Sequence, residues 1–297
     1  MEDWLTMALR FVHYALLLIL FGGMAFRLVG LRQVDTVEIS RLLIGIAALA
    51  APVVTVLLML IGIAVMMGQA VVALDWATVE AMLFTTDMGW AFLARFGFLI
   101  VALGVVWISK PLSGVAVMCY AFALATLPWS GHAAASEGGW GFFHRLNDAL
   151  HLLAAGFWIG AILWFLLLAV QAHRAPQQAN PDLLLKGMHR FAPIGVVLVS
   201  IVAITGIINA ELIFGLNITM SVTEQPYGQI LLLKLALVLL MLCSAACHAR
   251  YAKRWTRSMV GETDILKAVR ISLAAEFGLA ILVIASVALL GMMMPTE

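Results

Sequence analysis

Eight stretches of this chain, at approximately 5–29, 42–68, 90–108, 112–128, 146–171, 191–214, 229–251 and 268–292, are each apolar over the length a helix needs to cross lipid. A hydrocarbon core of about 30 Å takes roughly 20 mostly apolar residues, and a backbone inside it must satisfy its own N–H and C=O groups. The expected fold is therefore all-α, a polytopic bundle of eight transmembrane helices. One integral membrane domain over 1–297 is expected, with helices one to four in 1–128 and helices five to eight, with the loop before them, in 130–294. Composition agrees: 64% of residues are hydrophobic, 11% are charged, and the mean hydropathy is +1.07. A water-soluble domain of this size could not hide that much apolar surface in one core.

The opening "MEDWLTMALRFVHYALLLILFGGMAFR" carries acidic residues where a signal peptide needs positive charge, and its apolar run is too long for a signal core. It is read as the first membrane helix. The fourth segment is the shortest and starts at Pro111, which suits a first helical turn. Segments three and four are expected to form a hairpin around "SKP". Were they one bent helix, seven spans would result.

Eight alternating spans collect Arg27, Arg32, Arg41, Lys110, Arg174, Lys186, Arg190 and the basic residues from Arg250 to Arg270 on one face, against Arg145 in the opposite loops. The positive-inside rule then puts both termini on the outer face, periplasmic in a bacterium. A net charge of +1 gives no reason to expect a nucleic-acid partner. The chain shows no nucleotide-binding signature, soluble domain or Pro-rich linker, with the longest connections at about 69–89, 172–190 and 215–228. Cys119, Cys243 and Cys247 lie inside apolar runs, which removes a disulfide scaffold.

Ionisable groups inside spans are costly and by default face the bundle interior or a wet cavity. Here they are Arg10, His13, Arg95, His151, Glu211, Lys234 and Glu276. Arg10, Arg95 and Lys234 are read equally as structural pairing groups or as functional ones, and Lys234 and Glu276 are the titratable candidates for coupling. His13, His132, His144 and His151 all map to the periplasmic half and are the candidate metal ligands. His144 and His151 are seven apart, two turns and roughly 10 Å if both are helical, so one ion is not easily held by both. Imidazole alone does not choose among copper, zinc, iron and nickel.

Methionine narrows the choice. Met7, Met292 and Met293 belong to a periplasmic excess of thioethers, soft donors that favour Cu(I) and stay usable in an oxidising compartment. Thioethers also fill gaps in ordinary cores. Cys243 and Cys247, four apart in "MLCSAACHAR" near the cytoplasmic end, form a candidate exit site, although small side chains in a packing seam are the simpler reading. "GFWIG" at 156–160 permits close helix approach, as do Gly22, Gly23 and Gly206.

Several runs together resemble the copper resistance protein D family of bacterial inner membranes: "SGHA", "LHLLAAGFWIGAIL", "HRFAPIGVVLVSIVAITGIINA", "YGQILLLKLALVLLML" and "VRISLAAEFGLAILVIASVALL", with "ALRFVHYALLLILFGGMAFR" similar to the family's first helix. The resemblance implies a multi-pass inner-membrane protein that takes periplasmic copper toward the cytoplasm beside a soluble periplasmic copper-binding protein. The polar positions it carries over are His13, His132, His151, Lys234 and Glu276, with His144 in the more variable loop. Two other readings stay open. A haem-binding oxidoreductase could use His13 and His151 as axial ligands, and a passive membrane protein could simply dock the periplasmic carrier.

Overall fold

Among the described residues every regular element is helical, as a backbone without water to bond requires. The computed structural model describes residues 2–29, 39–108, 113–130, 138–174, 181–214, 225–255 and 262–293. Its helices are α1 (Glu2–Val29), α2 (Arg41–Met67), α3 (Trp76–Thr85), α4 (Asp87–Ile108), α5 (Gly114–Ala125), α6 (Gly138–Arg174), α7 (Pro181–Phe214), α8 (Pro226–Trp255) and α9 (Glu262–Leu290). Seven of them are long and apolar enough to cross a membrane; α5, with the 3-10 turn that extends it to Ser130, is a shorter apolar helix. The chain is an integral membrane protein.

The helices outrun the apolar segments that announce them. The fifth segment, expected from 146, begins at Gly138, and the sixth, expected from 191, begins at Pro181. Hydropathy finds the part of a helix in lipid and misses the polar turns beyond it. At 37 residues α6 is about 55 Å long, well beyond a core of about 30 Å. Another element went unseen: the connection expected over 69–89 contains α3, whose N-terminus is capped by Asp75, with the Thr78 N–H donating to Oδ1 at 2.8 Å and the Thr78 hydroxyl to Oδ2 at 3.0 Å. The Thr78 hydrogen bonds hold the Asp75 carboxyl below the usual carboxylate range.

At the centre α1 packs along α6, and the contact is backbone to backbone. A Cβ on Gly22 would strike the carbonyl of Gly156, and one on Gly160 would strike the backbone of Gly22. Only glycine fits at such an approach. Just below, the Trp164 indole N–H donates to the Gly23 carbonyl at 2.6 Å, and the Arg27 guanidinium lies 4.9 Å from the Trp164 ring centroid. Around this pair α2 and α5 pack on α1, and α7 and α9 pack on α6, while α4 bridges α2 and α5 and α8 bridges α7 and α9. The main core joins Leu17, Leu18 and Phe21 of α1 to Leu99, Leu124, Trp158 and Ile284. A second cluster at the far end is built on Phe26, Phe165 and Leu273.

Candidate polar sites within the bundle

His13 is 3% exposed, and its Nε2 lies 2.9 Å from the Thr55 hydroxyl on α2. That hydroxyl gives its one proton to the Ala51 carbonyl at 2.8 Å, so it can only accept from the ring. The hydrogen-bond network thus assigns the proton to Nε2 and leaves a lone pair on Nδ1. The half-buried His151 repeats the device with the other nitrogen. Its Nδ1 lies 2.9 Å from the Thr205 hydroxyl on α7, whose proton goes to the Ile201 carbonyl. His151 therefore keeps its lone pair on Nε2. Gly206 lies against the ring, where a Cβ would sit in ordinary van der Waals contact at 3.5 Å.

The surroundings of the two rings differ. Arg95 and Arg10 are the charges within electrostatic range of His13. Arg95, 1% exposed, is held at the end of α5: its Nε donates to the Thr126 hydroxyl at 2.9 Å and its Nη2 to the Thr126 carbonyl at 2.9 Å and the Ser130 hydroxyl at 3.1 Å. Beside His151 runs a polar ladder between α6 and α7. Asn147 donates to the Thr205 carbonyl at 2.9 Å and to Asn209 Oδ1 at 2.7 Å, and Asn209 donates to Asp148 Oδ1 at 2.9 Å. Lys234, half-buried on α8, lies within electrostatic range of both His151 and Asp148.

Of the other candidates, Met7, Met292 and Met293 come to one end of the bundle. The Arg10 guanidinium packs against Gly291 just past α9, at the same end of the bundle. A cation at the carbonyl end of a helix is favourably placed. His144, expected in a loop, is 3% exposed inside α6; the polar run "HRLND" obscured its helical register. Next to it Arg145 forms an ion pair with Asp87 of α4 at 3.8 Å. His132 lies outside the described residues. Glu276 is 2% exposed on α9. Cys243 and Cys247 are both exposed, so the packing seam expected of them is carried instead by Ser244, 3.1 Å from Ser272 of α9. Among the described residues no three His, Cys, Asp or Glu side chains gather as a metal cluster. An open cleft of about 410 Å³ beside Asp87, Trp90, Thr126 and Trp129 contains none of the histidines.

Sequence reasoning found the histidines and cations but missed Thr55, Thr205, Asn147, Asp148 and Asn209. A threonine in an apolar helix is ordinarily satisfied by its own backbone, so it announces nothing alone.

Comparison with known proteins gives these features a context. Residues 1–142 match the family described as "Copper resistance protein D-like, N-terminal domain", and residues 185–290 match "Copper resistance protein D". Copper resistance protein D of Pseudomonas syringae pv. tomato is 30% identical over 99% of this chain and 98% of its own length. Copper transport protein CutJ of Bacillus subtilis is 30% identical over 54% of this chain and 27% of its own length. Inner membrane protein YebZ of Escherichia coli is 32% identical over 40% of this chain and 38% of its own. No solved structure matches the chain.

Proposed function

Because the chain belongs to the copper resistance protein D family, we propose that it is an inner-membrane protein that moves copper from the periplasm toward the cytoplasm, with His13 and His151 as intramembrane ligands. The observation that carries the reading is the state of the two imidazoles. Each has one ring N–H tied to a threonine and one nitrogen with an open lone pair. Metal-binding histidines characteristically give their other N–H to a fixed oxygen acceptor, most often a carboxylate, a backbone carbonyl or water, which fixes the tautomer and the ring orientation, and a threonine oxygen can fill the same role. The copper transport name of one relative supports movement rather than storage.

In this reading both termini are periplasmic. His132 and the thioethers of Met7, Met292 and Met293 collect the ion, where a periplasmic copper-binding protein can present it. Exchange among soft donors keeps the ion from becoming a bare charge in lipid, whose cost would be prohibitive. His144 lines the approach in the first turns of α6. Lys234 and Glu276 are the titratable groups through which proton movement would couple to the ion.

The test is copper accumulation in cells expressing the His13→Ala/His151→Ala double variant, measured beside membrane expression. Accumulation should fall to that of cells lacking the protein. Wild-type accumulation at equal expression would overturn the reading.

A further inference from the structure

Three spacings recur in the same order in the two halves of the chain. A histidine is followed nine residues later by a glycine in "HYALLLILFG", from His13 to Gly22, and in "HLLAAGFWIG", from His151 to Gly160. A glycine is followed ten residues later by a threonine in "GIAALAAPVVT", Gly45 to Thr55, and in "GVVLVSIVAIT", Gly195 to Thr205. A glycine is followed six residues later by a cation in "GWAFLAR", Gly89 to Arg95, and in "GQILLLK", Gly228 to Lys234. Each match is cheap alone in a chain with 24 glycines. The structure gives the matches equivalent places.

In both halves the histidine is on the first long helix, the threonine on the second and the cation on the third. The helices of each half close the same ring: α1 touches α2, α2 touches α4, α4 touches α5 and α5 touches α1, while α6 touches α7, α7 touches α8, α8 touches α9 and α9 touches α6. Contacts between halves also exchange correctly, α1 with α6, α1 with α9 and α6 with α5. The histidine-to-threonine bond is made between the equivalent helices of each ring. Finally, Gly22 and Gly160, equivalent in the first spacing, touch each other. Equivalent residues meet on a twofold axis and nowhere else.

We propose that the protein is an internal duplication of one four-helix unit, related by a twofold axis through the Gly22–Gly160 contact, and that each unit holds its own one-histidine station for a soft monovalent metal ion. The units run in the same direction, so the axis lies along the membrane normal. Each histidine stands nine residues before its on-axis glycine, a rise of about 13.5 Å along α1 and along α6. The two stations therefore lie side by side at one depth, not in series along the path. Four helices per unit also make α5, equivalent to the full-length α9, a crossing helix, which returns the count to eight. The copies have diverged in detail, since His13 offers Nδ1 and His151 offers Nε2.

This inference rests on the copper reading for its ligand, and silver ion, soft, monovalent and redox-silent, is the probe. Purified protein in lipid nanodiscs is titrated with Ag(I), and the ions bound per chain are counted. Relative to wild type, His13→Ala should bind one ion fewer, His151→Ala one fewer and the double variant two fewer. Thr55→Val and Thr205→Val, which keep both ligands, should each weaken one class of site about 10- to 100-fold and leave the other unchanged. Loss of the same ion in both single variants, or a Soret band abolished by either, would mean one shared site and would overturn the duplicated stations while leaving the histidines functional. Unchanged silver binding in the double variant would overturn this inference and the proposed function together.

Discussion

Around His13 the N-terminal half places apolar packing and two cations; around His151 the C-terminal half places amides, a carboxylate and a single lysine. His13 is enclosed, whereas His151 is half-buried against α7, a helix with much of its surface turned outward. The same histidine-to-threonine device thus operates in an enclosed setting beside two cations and in a polar, more open one. At His13 the Thr55 hydroxyl accepts the Nε2 hydrogen bond and Arg95 is tied to Thr126 and Ser130. At His151 the Thr205 hydroxyl accepts the Nδ1 hydrogen bond, while Asn147, Asn209 and Asp148 bond one another beside it. In both halves a threonine fixes the tautomer of the ring, while the surroundings differ.

The most damaging way to probe the comparison is at the contact the halves share. Gly22→Ala and Gly160→Ala each push a Cβ into backbone that cannot move aside, so each should lose more than about 3 kcal/mol of stability, beyond ordinary overpacking. Thermal melting and membrane yield measure this, with Gly97→Ala, which has open space, as the control. Similar losses fit a twofold contact; a loss confined to one glycine would break the equivalence of the halves.

Smaller and unequal effects should follow from the threonines. Thr55→Val leaves the enclosed His13 N–H without an acceptor and should cost about 2 kcal/mol, within the range for an unsatisfied buried group. Thr205→Val should cost closer to 1 kcal/mol, because the half-buried His151 is nearer to alternative partners. The reverse order in melting experiments would show that enclosure does not distinguish the two settings. The ladder belongs to one half alone, so Asn209→Leu should cost about 1–2 kcal/mol and leave silver binding at His13 untouched.

The smallest effect is expected at the edge of the C-terminal half. Replacing Cys243 and Cys247 together by Ser should change stability by less than about 0.5 kcal/mol, because both are exposed. Copper tolerance should stay at wild type. A loss matching that of the His13→Ala/His151→Ala double variant would instead establish a thiol exit site.

Much of this organisation is legible in the sequence because lipid imposes a simple rule. A span must be apolar over a fixed length, and a polar group inside it needs a reason, which is how His13, His151, Arg95 and Lys234 stand out. What lies beyond the rule is harder to read. Helix α3 and the first turns of α6 leave the apolar segments, so their helicity depends on caps and packing that hydropathy does not register. Thr55 and Thr205 were invisible for another reason. Their partners are 42 and 54 residues away, and only the recurrence of their spacing from glycine marks them out.

The short α5 has a consequence for the lipid itself. With its 3-10 turn it reaches about 25 Å from Gly114 to Ser130, some 5 Å less than the usual hydrocarbon thickness. Val115 and Met118 turn outward along it, and Phe122 beside them is half exposed and stacked on Phe98, so its flank presents an apolar surface. Lipid beside a short span compresses or lets its headgroups dip, and the Arg95 bonds that tie down Thr126 and Ser130 keep the helix from lengthening to compensate. On the eight-span, copper-moving reading proposed above, the bilayer would be thinnest against the N-terminal half, and an ion handed across on that side would meet a narrower dielectric barrier than one passing α8.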